Sequence, residues 1–189
     1  EINKSVIVNA GLIGDLRCSM RRLIDELEPQ THPEWGDEIA KLRAEGDSLR
    51  AAAEEVAPGS LKPMQVFEVL NDIKSDDDII VTDVGQHQMW AAQFTRFTKP
   101  YQFLSSGGLG TMGYSLPAAL GVKTAQPERQ TAVICGDGSF QMFENELSTL
   151  RNVGAPVKIV LMKNDVLGLV NEIQHSSYSG PFGVALDHS

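Results

Sequence analysis

Residues 131–168, TAVICGDGSFQMFENELSTLRNVGAPVKIVLMKNDVLG, contain the pattern that decides the fold. Short β-branched runs at Thr131–Cys135 and Val157–Met162 predict two strands, each followed by a polar turn. Apolar residues at helical spacing between them predict one helix. Two strands joined through a helix are parallel, so their carboxyl ends open on the same edge of the sheet. We therefore expect Asp137 and Asn164, which follow the two strands, to meet in one crevice.

The residues of these two turns suit a metal and a phosphate. The Asp137 carboxylate and the Asn164 amide offer hard oxygen ligands, which Mg²⁺ prefers, usually with substrate phosphate completing its shell. Gly136 and Gly138 allow the backbone to approach a ligand closely, and Ser139 lies where a helix begins, which favours an anion. The pattern therefore indicates a magnesium diphosphate site. A plain βαβ unit with a tight turn explains the same residues equally well.

Composition and charge argue against several classes of partner. The chain has 189 residues, of which 42% are hydrophobic, enough for a sizeable core. A net charge of −9 and a pI near 4.9 argue against a basic face, so we expect neither nucleic acid nor an anionic membrane as partner. Cys18 and Cys135 lack metal-ligand spacing, and no apolar run reaches the length of a membrane span. These features predict a protein of the reducing cytoplasm.

The first third of the chain differs in character from the rest. In residues 1–28, alternation at Ser5–Val8 predicts a strand, and apolar residues at helical spacing predict a helix over Leu16–Leu27. One strand and one helix cannot bury a core alone, so we interpret this segment as the tail of a larger domain. Residues 29–60 are polar on most faces, which predicts a connector with a helix from Glu34 to about Glu55.

Residues 61–189 alternate between helical and strand patterns, which indicates an α/β domain. Ile79–Thr82 predicts a buried strand and Gln86–Phe97 the helix after it, with a weaker strand at Tyr101–Leu104. We expect a three-layer, doubly wound and mainly parallel sheet with helices on both faces. His87 follows the carboxyl end of the first strand, where it either hydrogen-bonds a phosphate or simply packs at the start of a helix.

A glycine pattern before the next helix allows a second interpretation. Gly108, Gly110 and Gly113 spell G-x-G-x-x-G, the fingerprint of a dinucleotide site, and Asp137 lies about as far downstream as the ribose-binding acid of such a site. However, the strand before these glycines is weak. Asp137 also stands between two glycines, which a metal-and-diphosphate turn needs and a ribose-binding acid does not. We therefore favour the metal-and-diphosphate interpretation.

The Gly-Asp-Gly turn at 136–138, followed after 25 residues by Asn164, resembles the signature of thiamine-diphosphate-dependent enzymes. In that family the Asp, the Asn and a backbone carbonyl two residues later hold Mg²⁺. The resemblance therefore assigns the metal ligands to Asp137, Asn164 and the Val166 carbonyl. One departure is that Lys163 replaces the first residue of the Asn-Asn pair often found in the family, but the liganding Asn matches the second of that pair.

Three longer blocks narrow the resemblance. Residues 85–94 (GQHQMWAAQF), 105–113 (SSGGLGTMG) and 136–140 (GDGSF) are similar to the catalytic subunit of acetolactate synthase, also called acetohydroxyacid synthase. The similarity covers residues 61–189, which correspond to the domain that binds the diphosphate of the cofactor, while residues 1–28 look like the end of the middle domain. The chain ends before the last strands of such a domain, so we expect it to be truncated at its C-terminal end.

The resemblance implies a role for each matched residue. Gly110 and Met112 would contact the aminopyrimidine ring through their backbone, and the Met112 side chain would keep thiamine in its bent form. The diphosphate would be held by Gln86, His87, Gly138 and Ser139. The full set of residues that the resemblance places on the cofactor is Gln86, His87, Gly110, Thr111, Met112, Asp137, Gly138, Ser139, Asn164, Val166, Leu167, Gly168 and Leu169.

The activity that the resemblance implies is the condensation of two 2-ketoacids, pyruvate with pyruvate or 2-ketobutyrate, with loss of CO₂ in branched-chain amino-acid biosynthesis. In this family the glutamate that activates the cofactor lies on a separate N-terminal domain, which this chain does not resemble. We therefore expect no catalytic residue and no activity in the isolated chain, and we interpret Glu144, Glu146 and Glu172 as exposed helix residues. Ile173 replaces a tryptophan that lines the substrate channel in many members, which leaves the second ketoacid open.

The resemblance also implies partners. It predicts a homodimer or homotetramer, a regulatory small subunit and, in the full-length protein, FAD near Asp15. Two alternatives remain open. A related thiamine-diphosphate-dependent decarboxylase or acyltransferase shares the metal turns. A non-catalytic assembly domain would instead use the apolar helices at Trp90–Phe97 and Leu116–Val122 as dimer contacts.

Overall fold

The computed structural model describes residues 2–52, 59 and 61–186. The chain divides into two compact units, Glu1–Glu55 and Val56–Ser189, and each is described by itself. The predicted end of the connector helix near Glu55 lies outside the described residues.

The first unit contains two helices, α1 (Leu16–Glu26) and α2 (Pro33–Ala52). The side chain of Asp15 caps the N-terminus of α1: its Oδ1 accepts a hydrogen bond of 2.9 Å from the backbone N–H of Cys18. The strand predicted at Ser5–Val8 is wrong. This segment forms a bend followed by irregular backbone, and residues 2–52 contain no strand that could supply the hydrogen-bonding neighbour a β-strand needs.

A four-stranded sheet organises the second unit. All its strands are parallel, and they lie in the order β2-β1-β3-β4. Their bounds are Ile79–Thr82 for β1, Phe103–Ser105 for β2, Thr131–Gly136 for β3 and Lys158–Met162 for β4. The predicted strand at Tyr101–Leu104 is shifted toward the C-terminus, because Tyr101 takes up a positive φ of 61° that does not fit an extended strand.

Helices cover both faces of this sheet. On one face Val81 and Val133 pack with Leu116 and Ala119, and on the other Ile80 packs against helical side chains. The helices are α3 (Pro63–Ile73), α4 (Gln86–Phe94), α5 (Ser115–Ala125), α6 (Asp137–Phe143), α7 (Glu146–Asn152) and α8 (Gly168–Ser177). The residues that pack on the second face include Phe67 and Leu70 of α3 and Ala91 of α4. The predicted three-layer, doubly wound α/β fold is thus confirmed.

The strand order reverses direction beside β1. The chain moves from β1 to β2 on one side and then crosses back to β3 on the other. In an open parallel sheet, the helices on either side of such a reversal diverge and leave a crevice at the carboxyl ends of the strands. In this chain those ends carry residues 83–85 and Asp137.

One helix was predicted between β3 and β4, and this prediction is wrong. The segment forms two helices, α6 and α7, which separate at Glu144 and Asn145. There the backbone N–H of Leu147 donates to the carbonyl of Glu144 at 3.1 Å and Ser148 donates to Asn145 at 3.1 Å. These bonds span three residues instead of four, so the turn is tighter than an α-helix and interrupts it.

Two further expectations concern membranes and cysteines. No helix among the described residues is both long enough and apolar enough to cross a bilayer. Cys18 is exposed and Cys135 is buried, and both thiols are free. Burial raises the pKa of the Cys135 thiol to about 12, so this thiol stays protonated at neutral pH.

Candidate functional site

A cavity of about 240 Å³ lies at the carboxyl edge of the sheet, beside the reversal of the strand order. All the residues that the resemblance places on the cofactor line it, except Thr111. The cavity is also lined by six residues outside that set: Val84, Gly85, Trp90, Gly136, Met162 and Val170. Several of these stand at or just after strand ends, so the rule that ligands bind at the carboxyl ends of parallel strands could have found them.

The Asp137 carboxylate joins the two turns of the sequence signature. It is only 6% exposed. Its Oδ1 accepts from the backbone N–H of Gly138 at 2.9 Å. Its Oδ2 accepts from the backbone N–H groups of Asn164 at 3.2 Å and Asp165 at 2.7 Å. The prediction that Asp137 and Asn164 meet in one crevice is therefore confirmed, through a bond between side chain and backbone.

The turn after β4 is held from a second side. Asp165 has a positive φ of 58°, a conformation that Asp tolerates better than most residues. The backbone N–H of Leu186 donates to the Asp165 carbonyl at 2.9 Å, and that of Leu167 donates to the Val184 carbonyl at 2.8 Å. Val166 faces Ala185 between these two bonds. Sequence reasoning missed this support, because no local pattern pairs residues so far apart.

His87 presents an unsatisfied nitrogen at the cavity. It is the second residue of α4, it is 6% exposed, and it lines the cavity wall. Its Nε2 has no hydrogen-bond partner among the described residues. Burial lowers the pKa of His87 to about 4, even though the nearby carboxylates of Asp83 and Asp137 act in the opposite direction. The ring is therefore neutral at pH 7. The ring packs at the start of a helix, which was one of the two alternatives for His87. Its unsatisfied Nε2 also suits a hydrogen bond to a ligand, which was the other.

Gly168 makes room for Gln86. A Cβ on Gly168 would lie 2.0 Å from Oε1 of Gln86 and 3.0 Å from Nδ2 of Asn164, so only glycine fits without a rearrangement. The other end of the Gln86 amide donates from Nε2 to Oε2 of Glu172 at 3.1 Å. Glu172 is exposed on α8, as predicted. Glu172 does not line the cavity, and this hydrogen bond connects it to the cavity wall.

Besides α6, which begins at Asp137, two helices begin at the cavity. The first residues of α4 and of α8 both line it, at Gln86 and Gly168. The backbone N–H groups of a first helical turn have no partner within the helix, and the helix dipole makes this end partly positive. Both helices therefore favour an anionic ligand in the cavity.

The sheet topology argues against a dinucleotide site. The glycine-rich segment 106–114 connects β2 to α5, as in a dinucleotide fold. The acid that would bind the ribose, however, is Asp137 at the end of β3, and β1 lies between β2 and β3. Asp137 therefore does not follow the strand next to β2, and its carboxylate is already engaged by the turn after β4. This supports the metal-and-diphosphate interpretation.

The donor set at the cavity fits Mg²⁺ and a diphosphate. All three residues of the expected ligand set line the cavity, where Asp137 and Asn164 would supply a carboxylate and an amide and Val166 a backbone carbonyl. In the part of the chain that the structure describes, no group of three His, Cys, Asp or Glu side chains could hold a metal. A cation here would have few anionic protein ligands. Phosphate oxygens would complete its shell, as they commonly do for Mg²⁺.

The buried His87 predicts a pH dependence of stability. Its folded pKa of about 4 lies below the unfolded value near 6.5, so between these values the unfolded chain binds more protons. Stability should therefore fall as the pH is lowered from about 6.5 to about 4. We expect this loss to be on the order of 1–3 kcal/mol larger in the wild type than in His87→Gln, measured by urea unfolding.

An exposed histidine offers the control for this measurement. His175 lies on α8 and is exposed, so His175→Gln should follow the wild-type pH profile. Parallel profiles for the wild type and His87→Gln would contradict the assignment of the acid sensitivity to His87.

Comparison with known proteins identifies the family. Residues 83–186 match the family model "Thiamine pyrophosphate enzyme, C-terminal TPP binding domain". The chain is 41% identical over 182 residues to the acetolactate synthase of Mycobacterium bovis, which is 95% of this chain and 29% of that protein. It is 41% identical over 187 residues to the acetolactate synthase large subunit of Corynebacterium glutamicum, or 96% and 29% of the two chains.

A third relative gives the same result. The acetolactate synthase isozyme 3 large subunit of Escherichia coli is 38% identical over 183 residues, which cover 95% of this chain and 32% of that protein. This chain thus spans less than a third of the length of these relatives. The family match includes every residue that lines the cavity. The chain therefore belongs to the thiamine pyrophosphate enzymes and carries their C-terminal cofactor-binding domain.

Proposed function

We propose that this chain is the part of an acetolactate synthase that binds the diphosphate of thiamine diphosphate through Mg²⁺. The observation that carries the proposal is the junction at Asp137, where a buried carboxylate and the Asn164 turn line one cavity. The identity to acetolactate synthases over nearly the whole chain supports this choice of activity. In this proposal Asp137, Asn164 and the Val166 carbonyl are the metal ligands.

The diphosphate would lie against the polar wall of the cavity. His87 is neutral and its Nε2 is unsatisfied within the described residues, so in the tautomer that carries the ring proton on Nε2 this atom would donate a hydrogen bond to a phosphate oxygen. The second N–H of the Gln86 amide would add a donor, and the Ser139 hydroxyl would add another by giving up its bond to the Gly136 carbonyl at 3.2 Å. Gly138 would let its backbone come close, since a side chain there would collide with Leu167, 2.7 Å from the position of a Cβ.

The rings of the cofactor would lie on the other side of the cavity. Gly110 and Met112 line it from the loop before α5. Thr111 does not line the cavity, and its backbone N–H donates to the Ser106 hydroxyl at 3.0 Å, so it would help to hold this loop in place. Leu167, Gly168 and Leu169 would form an apolar wall at the start of α8. Apolar walls exclude water from the reacting atoms, which strengthens electrostatic interactions there.

The proposed reaction joins two 2-ketoacids. When bound, thiamine diphosphate supplies the carbanion chemistry that removes CO₂ from pyruvate and transfers the remaining two carbons to a second 2-ketoacid, pyruvate or 2-ketobutyrate. The residues of this chain would bind and orient the cofactor, and none of them would be catalytic. Ile173 is exposed on α8, one turn beyond Leu169, and would influence which second ketoacid is accepted.

Several finer expectations complete the proposal. Relatives are named large or catalytic subunits, which supports a regulatory small subunit for the protein that carries this chain. A homodimer or homotetramer, FAD near Asp15 and a cytoplasmic location stay predictions. The assembly-domain alternative is less favoured, because the helices it would use bury Ala91, Leu116 and Ala119 inside the unit.

The metal site is tested at Asp137. Replacing it with alanine removes the single carboxylate of the proposed ligand set and the acceptor that holds the turn after β4. We expect Asp137→Ala to bind thiamine diphosphate in the presence of Mg²⁺ at least 100-fold more weakly than the wild type, measured by isothermal titration calorimetry. Asp72→Ala is the matched control, since Asp72 is exposed on α3 and does not line the cavity. Equal affinities of Asp137→Ala and the wild type would refute the proposed site.

The role of Gln86 in the polar wall can be tested by adding a side chain at the neighbouring Gly168. In Gly168→Ala the new Cβ would displace the Gln86 side chain, whose Oε1 lies 2.0 Å from its position. We expect the affinity for thiamine diphosphate with Mg²⁺ to fall about tenfold, the size of one lost hydrogen bond to a charged group. Gly121→Ala is the control, because a Cβ there, within α5, meets no atom within 4 Å. A Gly168→Ala protein that binds as tightly as Gly121→Ala would count against a role for Gln86.

The isolated chain is expected to bind the cofactor but not to catalyse acetolactate formation. It is mixed with pyruvate, thiamine diphosphate and Mg²⁺, and acetolactate is assayed. We expect none above the protein-free control, because among the described residues none that lines the cavity is a glutamate able to activate the aminopyrimidine. Calorimetry on the same sample shows whether the chain is folded and loaded. Acetolactate formed by the wild-type chain and lost in Asp137→Ala would contradict this expectation.

A further inference from the structure

Asp83 is a buried carboxylate with no role in the proposed metal site. It directly follows β1 and is 1% exposed. Its backbone N–H donates to the Ile134 carbonyl at 2.9 Å, which continues the pairing of β1 with β3. The position of its Cα is therefore fixed by the sheet. A buried carboxylate is costly unless hydrogen bonds compensate for the lost water, so its partners matter.

Four donors surround this carboxylate. Its Oδ1 accepts from the backbone N–H of Val84 at 2.9 Å and of Gly113 at 2.8 Å. Its Oδ2 accepts from the backbone N–H of Ser115 at 2.9 Å and from the Ser115 hydroxyl at 2.6 Å. Three of these bonds reach residues that are 30 or 32 positions away in the sequence. Asp83 thus ties the loop before α5 to the end of β1.

This loop forms one wall of the cavity. Gly110 and Met112 are its two residues that line the cavity, and Met112 directly precedes Gly113. Gly113 has a positive φ of 86°, and a Cβ on it would lie 2.0 Å from the Phe143 ring. The backbone at Gly113 is therefore held between the Asp83 carboxylate and an aromatic ring. A shift of this backbone would move Met112 with it.

We propose that Asp83 is a positioning residue that sets the place of Gly110 and Met112 against the ring portion of the bound cofactor. The inference rests on the proposed function, because it assigns one wall of that cavity to the rings. It predicts a selective effect, since Asp83 does not line the cavity and holds a loop that is separate from the Asp137 and Asn164 turns, and since Asp83→Asn keeps the backbone carbonyl through which Asp83 contacts His87. Loss of its contacts should weaken binding of the rings and leave binding of the diphosphate unchanged.

A purely structural role makes a different prediction. The Asp83 carboxylate also lies at the start of α5, where an anion stabilises a helix. If this were its whole role, removal of the carboxylate would lower the stability of the fold and reduce the affinity for every ligand by the same factor. Comparing a ligand that has only the diphosphate with one that also has the rings separates the two roles.

The test uses calorimetry with two probes, Mg²⁺ with inorganic pyrophosphate and Mg²⁺ with thiamine diphosphate. Asp83→Asn keeps the shape of the side chain but turns an amide NH₂ toward backbone N–H groups that need an acceptor. We expect the wild type to bind thiamine diphosphate at least tenfold more tightly than pyrophosphate. In Asp83→Asn this ratio should fall at least fivefold, while pyrophosphate affinity stays within about twofold.

Two further variants accompany Asp83→Asn. Thr82→Val is the matched control: Thr82 is buried in the same strand, and its hydroxyl donates to Ser105, away from the loop at 110–113, so the ratio should not change. Ser115→Ala keeps the carboxylate and removes its shortest bond, so the ratio should fall by about twofold to threefold. If Asp83→Asn does not fold, an unchanged ratio in Ser115→Ala overturns the inference.

The outcomes separate the inference from the proposed function. A wild type that binds neither probe overturns both. A wild type that binds the two probes equally, or an Asp83→Asn protein that keeps the wild-type ratio, overturns the inference and leaves the diphosphate site standing. Equal losses for both probes assign Asp83 a structural role only. The measurements are made at pH 7.5, where His87 is neutral, so a changed charge at position 83 does not alter its protonation.

Discussion

The cavity depends on the bonds from the Asp137 carboxylate to the backbone of the turn after β4. This carboxylate is buried and would be unstable without hydrogen-bond donors, and the backbone N–H groups of Asn164 and Asp165 supply them. The two turns are thereby held together by the protein itself. A metal that binds between them would find its ligands already close, so little ordering would be needed on binding.

Charge in the cavity is sparse, and this decides which ligand suits it. Asp137 is the one carboxylate among the described residues that line the cavity, and burial keeps His87 neutral. The starts of α4 and α8 add partial positive charge. Such a site would hold a divalent cation weakly by itself and a polyanion poorly without a cation. Together a cation and a diphosphate compensate each other, which explains why the site favours the pair.

The sequence was enough to predict the features that follow from local patterns and from general rules of parallel sheets. The four strands, most helices and the meeting of Asp137 with Asn164 belong to this group. The bonds of Asp83 to Gly113 and Ser115 could not be predicted, because no local pattern links residues 30 or 32 positions apart. The same holds for the support of Asp165 and Leu167 by residues 184–186. The false strand at Ser5–Val8 shows the converse, since alternation alone does not supply a neighbouring strand.

The two walls of the cavity are built on the same principle. Asp83 follows β1 and Asp137 is the first residue after the end of β3, and each buried carboxylate accepts backbone N–H groups from a loop that is remote in the sequence. Because β1 and β3 are neighbouring strands, the spacing between these two attachments is set by the hydrogen bonds of the sheet. The width of the cavity is therefore a property of the rigid sheet, although loops supply most of its lining. Loops anchored in this way can present ligand-binding groups with the precision of regular structure.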